Sequence, residues 1–453
     1  LIYDISVLKI NTKGGFDMRK KRFLAIIAVA LMLALMLSAC GGGSQTTDDT
    51  SKPADTSTGT SDGESSSEQV TITFAQGKDV SNATKNTIEQ FEAKYPNIKV
   101  NYQEMPPESD QQHNSYVTAL SAGDDSVDVY SIDVIWPAEF ASAGWLEPLD
   151  DYFPQQEREK YLQGPIQSCT VNGKLYAAPF FTDAGLLYYR KDLVSTPPET
   201  WDDLYKIGKQ LMDEGKVDYG FVFQANQYEG LVCDALEYIH SNGGKVLEDS
   251  KVVLNSPNAI EALNIFKKML EIAPKGVTTY IENDSLVTFQ EGKAAFMRNW
   301  PYAWAIVNSS ESKVKDKVGI APIPKGPNGD TTGKATLGGW NLAINKNSKH
   351  KDEAWKFIEF IISEQGQKIQ AIDGGHLPVL QSLYKDADVL KANPYFADMY
   401  DVVINALPRP VSPFYPKISE SMQINIHKFL MNEIDAETAI ENITKDIEQI
   451  LAQ

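Results

Sequence analysis

Cysteine and histidine are scarce. The 453 residues hold three cysteines and five histidines. Cys40, Cys169 and Cys233 form no C-x-x-C pair, and the histidines show no metal-ligand spacing, so a zinc knuckle, a thiol redox motif and a resident metal are not expected. Cys169 and Cys233 are far enough apart for either one disulfide or two buried thiols, and free thiols are the preferred reading. No Walker loop, G-x-G-x-x-G or H-E-x-x-H is present, which argues against a nucleotide cofactor or a metalloprotease. Gly59–Gly63 spells G-x-S-x-G, but no strand precedes it and no helix follows, so the match is accidental. Basic residues are also short, 42 against 61 acidic ones. Residues 1–39 hold six of the basic and two of the acidic side chains, leaving 36 basic against 59 acidic in the remainder. Such a surface repels nucleic acid phosphates and anionic lipid head groups, so nucleic acid is not an expected partner.

A long apolar run is missing too. The longest, Phe23–Leu37, is too short for a comfortable membrane span and follows the basic run Arg19–Arg22. Leu37-Ser38-Ala39-Cys40 then looks like a bacterial lipobox, with Cys40 lipidated after cleavage. Residues 1–17 are read as translation upstream of Met18, 18–39 as a lipoprotein signal peptide and 40–69 as a flexible tether. The tether is rich in Ser, Thr, Asp and Gly and has too few apolar side chains to offset the entropy of ordering.

From Val70 the pattern is that of a large globular α/β protein. Val70–Phe74 alternates as a strand, Ile88 and Phe91 mark a helix ended at Tyr95-Pro96, and Val127–Ile132 reads as a buried strand ending at Asp133. Strand, helix, strand predicts mainly parallel sheets flanked by helices. Helices are expected at 200–214, 230–241 and 257–272, the last behind the Asn255-Ser256-Pro257 cap, then at 351–372, 393–406 and 419–451. Leu337–Ile344 reads as another buried strand. Ala294–Met297 reads as a short strand, with a turn at Arg298 and Asn299 and a helix begun by Pro301.

Aromatic and acidic residues gather where strands end: Asp133 with Trp136, Phe181 with Asp183, Trp300 with Tyr302, and Trp340 after Gly338 and Gly339. Each pair alone reads as core or as a solvated turn. Together they supply flat apolar platforms and fixed hydrogen-bonding groups, which is what the C–H faces and hydroxyls of a sugar require.

With these residues in view, the chain resembles the extracellular solute-binding lipoproteins of bacterial sugar ABC transporters, in their trehalose/maltose-binding branch. The resemblance rests on GWLEPLDDY (144–152), DAGLLYYRKDL (183–193), YEGLVCD (228–234), RNWPYAW (298–304), ATLGGWNLAI (335–344) and PRPVSPFYPKIS (408–419). It implies two α/β lobes joined by a multi-strand hinge, lobe I at 70–181 and 340–390 and lobe II at 182–339 and 391–453. It also implies a non-catalytic monomer that holds a small oligosaccharide, an α-glucoside disaccharide such as trehalose or maltose. The monomer would serve membrane permease subunits and a cytoplasmic ATPase from a lipid anchor at Cys40. By the same analogy Asp133 and Asp183 accept hydrogen bonds from sugar hydroxyls, and Trp300 and Tyr302 form a stacking wall. Gly338, Gly339 and Trp340 bring backbone and indole close, and Arg409 donates from the second lobe and pairs with a carboxylate. Asn82, Gln112, His113, Trp136, Gln227, Tyr228 and Glu229 are weaker candidates. Departures from the family pattern fall at Phe181, where a tyrosine is usual, at Gln112-His113, where an arginine is usual, and near Ser81-Asn82, where a glutamate is usual. A surface-anchored glycosidase and a sugar sensor for a membrane kinase are the alternative readings.

Overall fold

A computed structural model describes residues 69–248, 251–330 and 332–453. Cys40, the apolar run and the tether lie outside the described residues. In chain order the first half supplies β1 (Val70–Gly77), α1 (Ala83–Lys94), β2 (Ile98–Met105), α2 (Ser109–Ser121), β3 (Val129–Asp133) and β4 (Ala178–Ala184). Then follow β5 (Leu186–Arg190), α3 (Trp201–Asp213), β6 (Tyr219–Val222), α4 (Glu229–Ser241), α5 (Pro257–Lys268) and α6 (Glu282–Gln290). The chain continues through β7 (Ala294–Asn299), β8 (Val318–Ala321), β9 (Leu337–Ile344), α7 (Lys351–Ile362) and α8 (Glu364–Gly374). It closes with α9 (Phe396–Ile404), α10 (Tyr415–Leu430) and α11 (Ala436–Leu451).

These elements build two separate sheets, ordered β2-β1-β3-β9-β4 and β8-β5-β7-β6. Every residue of β3 and β4 is buried, as expected for strands covered on both faces. Each sheet is mainly parallel in direction, as expected, with a single reversed strand, β9 in the first and β5 in the second. In the first, β1 runs parallel to β2 and β3, while β9 is antiparallel to both β3 and β4. In the second, β7 is parallel to β6 and antiparallel to β5. The reason is topological: β4 and β9 carry the chain out of the first sheet and back, and a chain that leaves and returns this way reverses direction.

Three chain segments lie side by side between the sheets. Gly185 follows β4, and its N–H donates to Thr336 O at 3.3 Å; Leu337 N donates to Leu407 O at 2.8 Å, and Leu407 N to Ala335 O at 2.9 Å. The molecule is thus two-lobed, with a three-segment connection. Helix α9 packs on β4 of the first sheet, whereas α10 packs on α4 and α11 on α5 beside the second.

Several helix limits follow from local chemistry. Ser256 Oγ accepts the Ala259 N–H and Pro257 occupies the first turn, so α5 begins where its cap dictates. The expected helix at 351–372 is two helices, broken at Ser363, whose hydroxyl caps α8 at Gly366. The expected helix at 419–451 is likewise the pair α10 and α11; Asn432 between them has φ +63°. Arg298 and Asn299 are strand rather than turn, paired with Leu187 and Leu186, and the following helix starts at Ala303, two residues beyond Pro301. Cys169 and Cys233 are both buried free thiols.

Candidate ligand-binding site

A cavity of about 390 Å³ opens between the two sheets, within the size range usual for small-molecule sites. Strand register assembles its wall. Trp340 pairs with Asp133 on one side and with Phe181 on the other, and Gly338 lies opposite Asp183. Pairing therefore gathers the ends of β3, β4 and β9 into one patch. From the second sheet, Asn299 pairs with Leu186, so Trp300 leaves the end of β7 beside the Gly185 connection.

The nine principal residues expected from sequence, Asp133, Phe181, Asp183, Trp300, Tyr302, Gly338, Gly339, Trp340 and Arg409, all line this cavity. Of the weaker set, Gln112, Tyr228 and Glu229 line it as well, and Asn82, His113, Trp136 and Gln227 do not. Asn82 and Gln227 are exposed, and the neighbouring Ser81 lines the wall in place of Asn82. His113 Nε2 lies 2.6 Å from Glu139 Oε2, and its ring packs on Trp136 and Phe140. Trp136 stands edge-on behind Trp340 at 5.5 Å, so it supports the indole of the wall instead of facing the cavity. Trp304 packs away on Tyr395 at 4.8 Å.

Trp300 is held on several sides. Its Nε1–H donates to Glu282 Oε1 at 3.3 Å and its carbonyl accepts the Tyr188 hydroxyl at 2.7 Å. The Arg298 guanidinium carbon lies 4.0 Å from the ring centroid, a cation–π contact on the indole. Arg298 is itself fixed in the core. Its Nη2 donates to Glu237 Oε1 at 2.6 Å, its Nε lies 3.0 Å from both Glu237 Oε2 and Asp234 Oδ1, and its Nη1 donates to Gln224 Oε1 at 3.2 Å.

Gly338 and Gly339 let the backbone of β9 approach this wall. A Cβ at Gly338 would sit 2.9 Å from Trp300 Cζ3. Gly339 has φ +125°, and a Cβ there would lie 2.5 Å from the Phe181 carbonyl oxygen. Gly339→Ala is expected to destabilise the protein by about 1–3 kcal/mol through backbone strain; equilibrium denaturant unfolding measures this, and an unchanged midpoint would contradict it.

The polar groups divide into satisfied and unsatisfied. Arg409 Nη2 donates to Asp133 Oδ1 at 2.9 Å and Nη1 to Glu229 Oε1 at 2.7 Å. Glu229 also accepts the hydroxyls of Tyr415 and Ser419. Arg409 thus bridges a carboxylate on the first sheet and one on the second lobe. Burial pushes the Asp133 carboxyl up, Arg409 pulls it back and Glu229 adds to the rise. The Asp183 carboxylate is buried and makes no hydrogen bond among the described residues. Burial, reinforced by Asp133 and opposed by Arg298, holds its pKa well above the ordinary carboxylate range. Gln112 is buried against Gly77 with Oε1 unbonded. An unpaired buried polar group is costly, so Gln112 Oε1 and Arg409 Nε, both buried and unbonded, together with the Asp183 carboxyl that lines the cavity, mark where a ligand's donors and acceptors would be welcomed.

Among the wall residues that sequence reasoning missed are Glu282, His376 and Asp79. Glu282 anchors both Trp300 and, at 2.8 Å, the Tyr228 hydroxyl. His376 stacks on Phe181 at 4.1 Å and 8°, and burial lowers its pKa to about 4, so the ring is neutral near pH 7. Asp79 shapes the loop after β1 by accepting the N–H groups of Ser81 and Thr84. A Gly374-Gly375 pair before His376 is the one local signal that any of these carried.

Two lobes, a three-segment connection and a cavity walled by both define a cleft-type binding protein. A family model for bacterial extracellular solute-binding proteins matches residues 75–368, and the chain belongs to that family. It is a solute-binding protein and not an enzyme. It is similar to maltose-bound MalE3 of T. maritima, with 44% identity and a TM-score of 0.80, over 84% of this chain and 99% of that one. A relative from Deinococcus radiodurans, named a probable ABC transporter-binding protein, is 38% identical over 77% of this chain and 85% of its own. A maltotriose-binding protein of Pyrococcus abyssi is 27% identical over 80% of this chain and 77% of its own.

Proposed function

We propose that the protein captures a small α-glucoside, a disaccharide such as maltose or trehalose, between its lobes and delivers it to the permease of an ABC importer. The observation that carries this reading is the pairing of two half-buried indoles, Trp300 and Trp340, with the unbonded carboxylate of Asp183 around one cavity. Aromatic faces suit the C–H faces of a pyranose, and a bare carboxylate suits its hydroxyls. The names of the T. maritima and P. abyssi relatives, maltose-bound and maltotriose-binding, support the same ligand class. In this reading Asp133, Asp183, Gln112 and Arg409 hydrogen-bond the sugar while Trp300, Tyr302, Trp340 and Phe181 pack on it. Phe181 lacks the hydroxyl a tyrosine would offer, so its contact with the sugar is apolar.

Lobe I then comprises residues 70–184 and 337–406, and lobe II 185–336 and 407–453. The last boundary moves from 390 to Leu407 because α9 packs with β4. Cys40 serves as the lipid anchor, the tether 41–69 frees the lobes, and the protein works as a monomer on the outer face of the cytoplasmic membrane. Among the described residues no helix is long and apolar enough to cross a membrane.

Calorimetric titration with trehalose, maltose, sucrose and longer α-glucans tests the ligand class. One-to-one binding of one α-glucoside, recovered unhydrolysed, is the expected result. Heat from none of them, or hydrolysed sugar, would overturn it.

A further inference from the structure

Among the described residues, no side chain of its own lobe caps the N-terminus of α4. Tyr228, which precedes it, makes no side-chain cap bond. The Glu229 N–H, one of the first-turn donors that a helix cannot satisfy internally, donates to Asp110 Oδ2 at 3.2 Å. Asp110 stands in the first turn of α2, beside the five-stranded sheet, so this bond crosses between the lobes. Gln423 on α10 donates to the same oxygen at 3.5 Å. Asp110 therefore touches two helices of the opposite lobe without lining the cavity itself.

We propose that Asp110 is a positioning residue that caps α4 from the opposite lobe and thereby makes lobe closure depend on pH. The proposal rests on the closing-cleft reading above and deepens it. The ionisable groups facing Asp110 are Glu229 from α4, Asp133 from β3 and His113 one turn on in α2; Gln423 from α10 is neutral. Burial is the largest influence and raises the Asp110 carboxyl to about 6, with Glu229 adding to the rise and the Glu229 N–H bond and His113 opposing it.

The sign of the coupling follows. When the lobes part, Asp110 loses its burial and the nearby Glu229 charge, and its pKa falls toward the ordinary aspartate value of about 3.9. The closed form then holds a proton more tightly than the open form, so closure takes up a proton between those two values and acid favours closure. A ligand that closes the lobes gains, through Asp110 alone, about tenfold in affinity between pH 7 and pH 5. With Asp110→Asn this contribution vanishes, so the comparison of variant with wild type isolates it.

The test is calorimetric titration with maltose at pH 7, 6 and 5 for the protein and for Asp110→Asn. Asp110→Ser, which keeps a neutral capping oxygen, stands in if the asparagine variant does not fold. The ratio of variant to wild-type Kd is expected to rise about tenfold from pH 7 to pH 5, and a flat ratio would overturn the proposal. A ligand-free arm separates it from the sugar reading. Small-angle X-ray scattering without sugar should show the wild-type radius of gyration shrinking at pH 5 and the variant's unchanged. Identical scattering profiles for both proteins across that range would overturn it even if maltose binds.

Discussion

Trp300→Ala is expected to weaken sugar binding at least about thirty-fold, the loss typical of a central aromatic anchor, with the fold retained. Three features combine to make this side chain the anchor. The indole stands past the end of β7, where the register with β5 puts it next to the connection between lobes. Glu282 fixes its N–H and Tyr188 its carbonyl, so little conformational freedom remains to be lost on binding. Arg298 lies over the ring at 4.0 Å, and Gly338 leaves room against it. Calorimetry on the variant checks the prediction, with circular dichroism to verify the fold. Affinity within threefold of wild type would remove Trp300 from the site.

The second large effect is on stability. Arg298→Met is expected to cost on the order of 3–5 kcal/mol, because removing one partner of a buried ion pair strands the others. Here two carboxylates are stranded. Glu237 and Asp234 are each about 1% exposed, as is Arg298. Glu237 Oε1 also accepts the Thr336 N–H at 3.3 Å, in the segment that returns the chain to the first lobe. The cluster thus joins the Trp300 platform to the connection. Urea unfolding measures the loss, and a midpoint within about 0.5 kcal/mol of wild type would show the cluster to be dispensable. Replacing Arg298, Asp234 and Glu237 together by apolar residues should recover part of the stability, since that substitution leaves no buried charge unpaired.

The contrast between Arg298 and Trp300 also shows what the amino-acid sequence could reveal. The strand Leu337–Ile344 was legible end to end, because it is apolar but for Asn341 and has glycines only where Trp300 and Phe181 press on it. The clusters at strand ends were legible for a related reason: a buried strand that ends at Asp133, or one residue beyond Asp183, leaves its last side chains at the end of the sheet. Arg298 read as a turn because polar residues rarely continue a buried strand, and its carboxylate partners lie some sixty positions away on α4. Asp110 and Glu282 gave no sign, since each sits in the first turn of a helix, where an acid is commonplace. Their roles come from partners, Glu229 and Trp300, that only the fold brings close. The breaks at Ser363 and near Asn432 were hidden by apolar spacing that carries on across them. Which sheet α9 covers was not legible either, because it is amphipathic like its neighbours and only the fold packs it on β4.

The most direct measurement is a crystal structure of the protein grown with maltose or with the tightest sugar from the titration. One sugar is expected in the cavity between the lobes, with a pyranose face against Trp300 and hydroxyls on Asp183. An empty cavity, or a sugar bound elsewhere with Asp183 still bare, would contradict this.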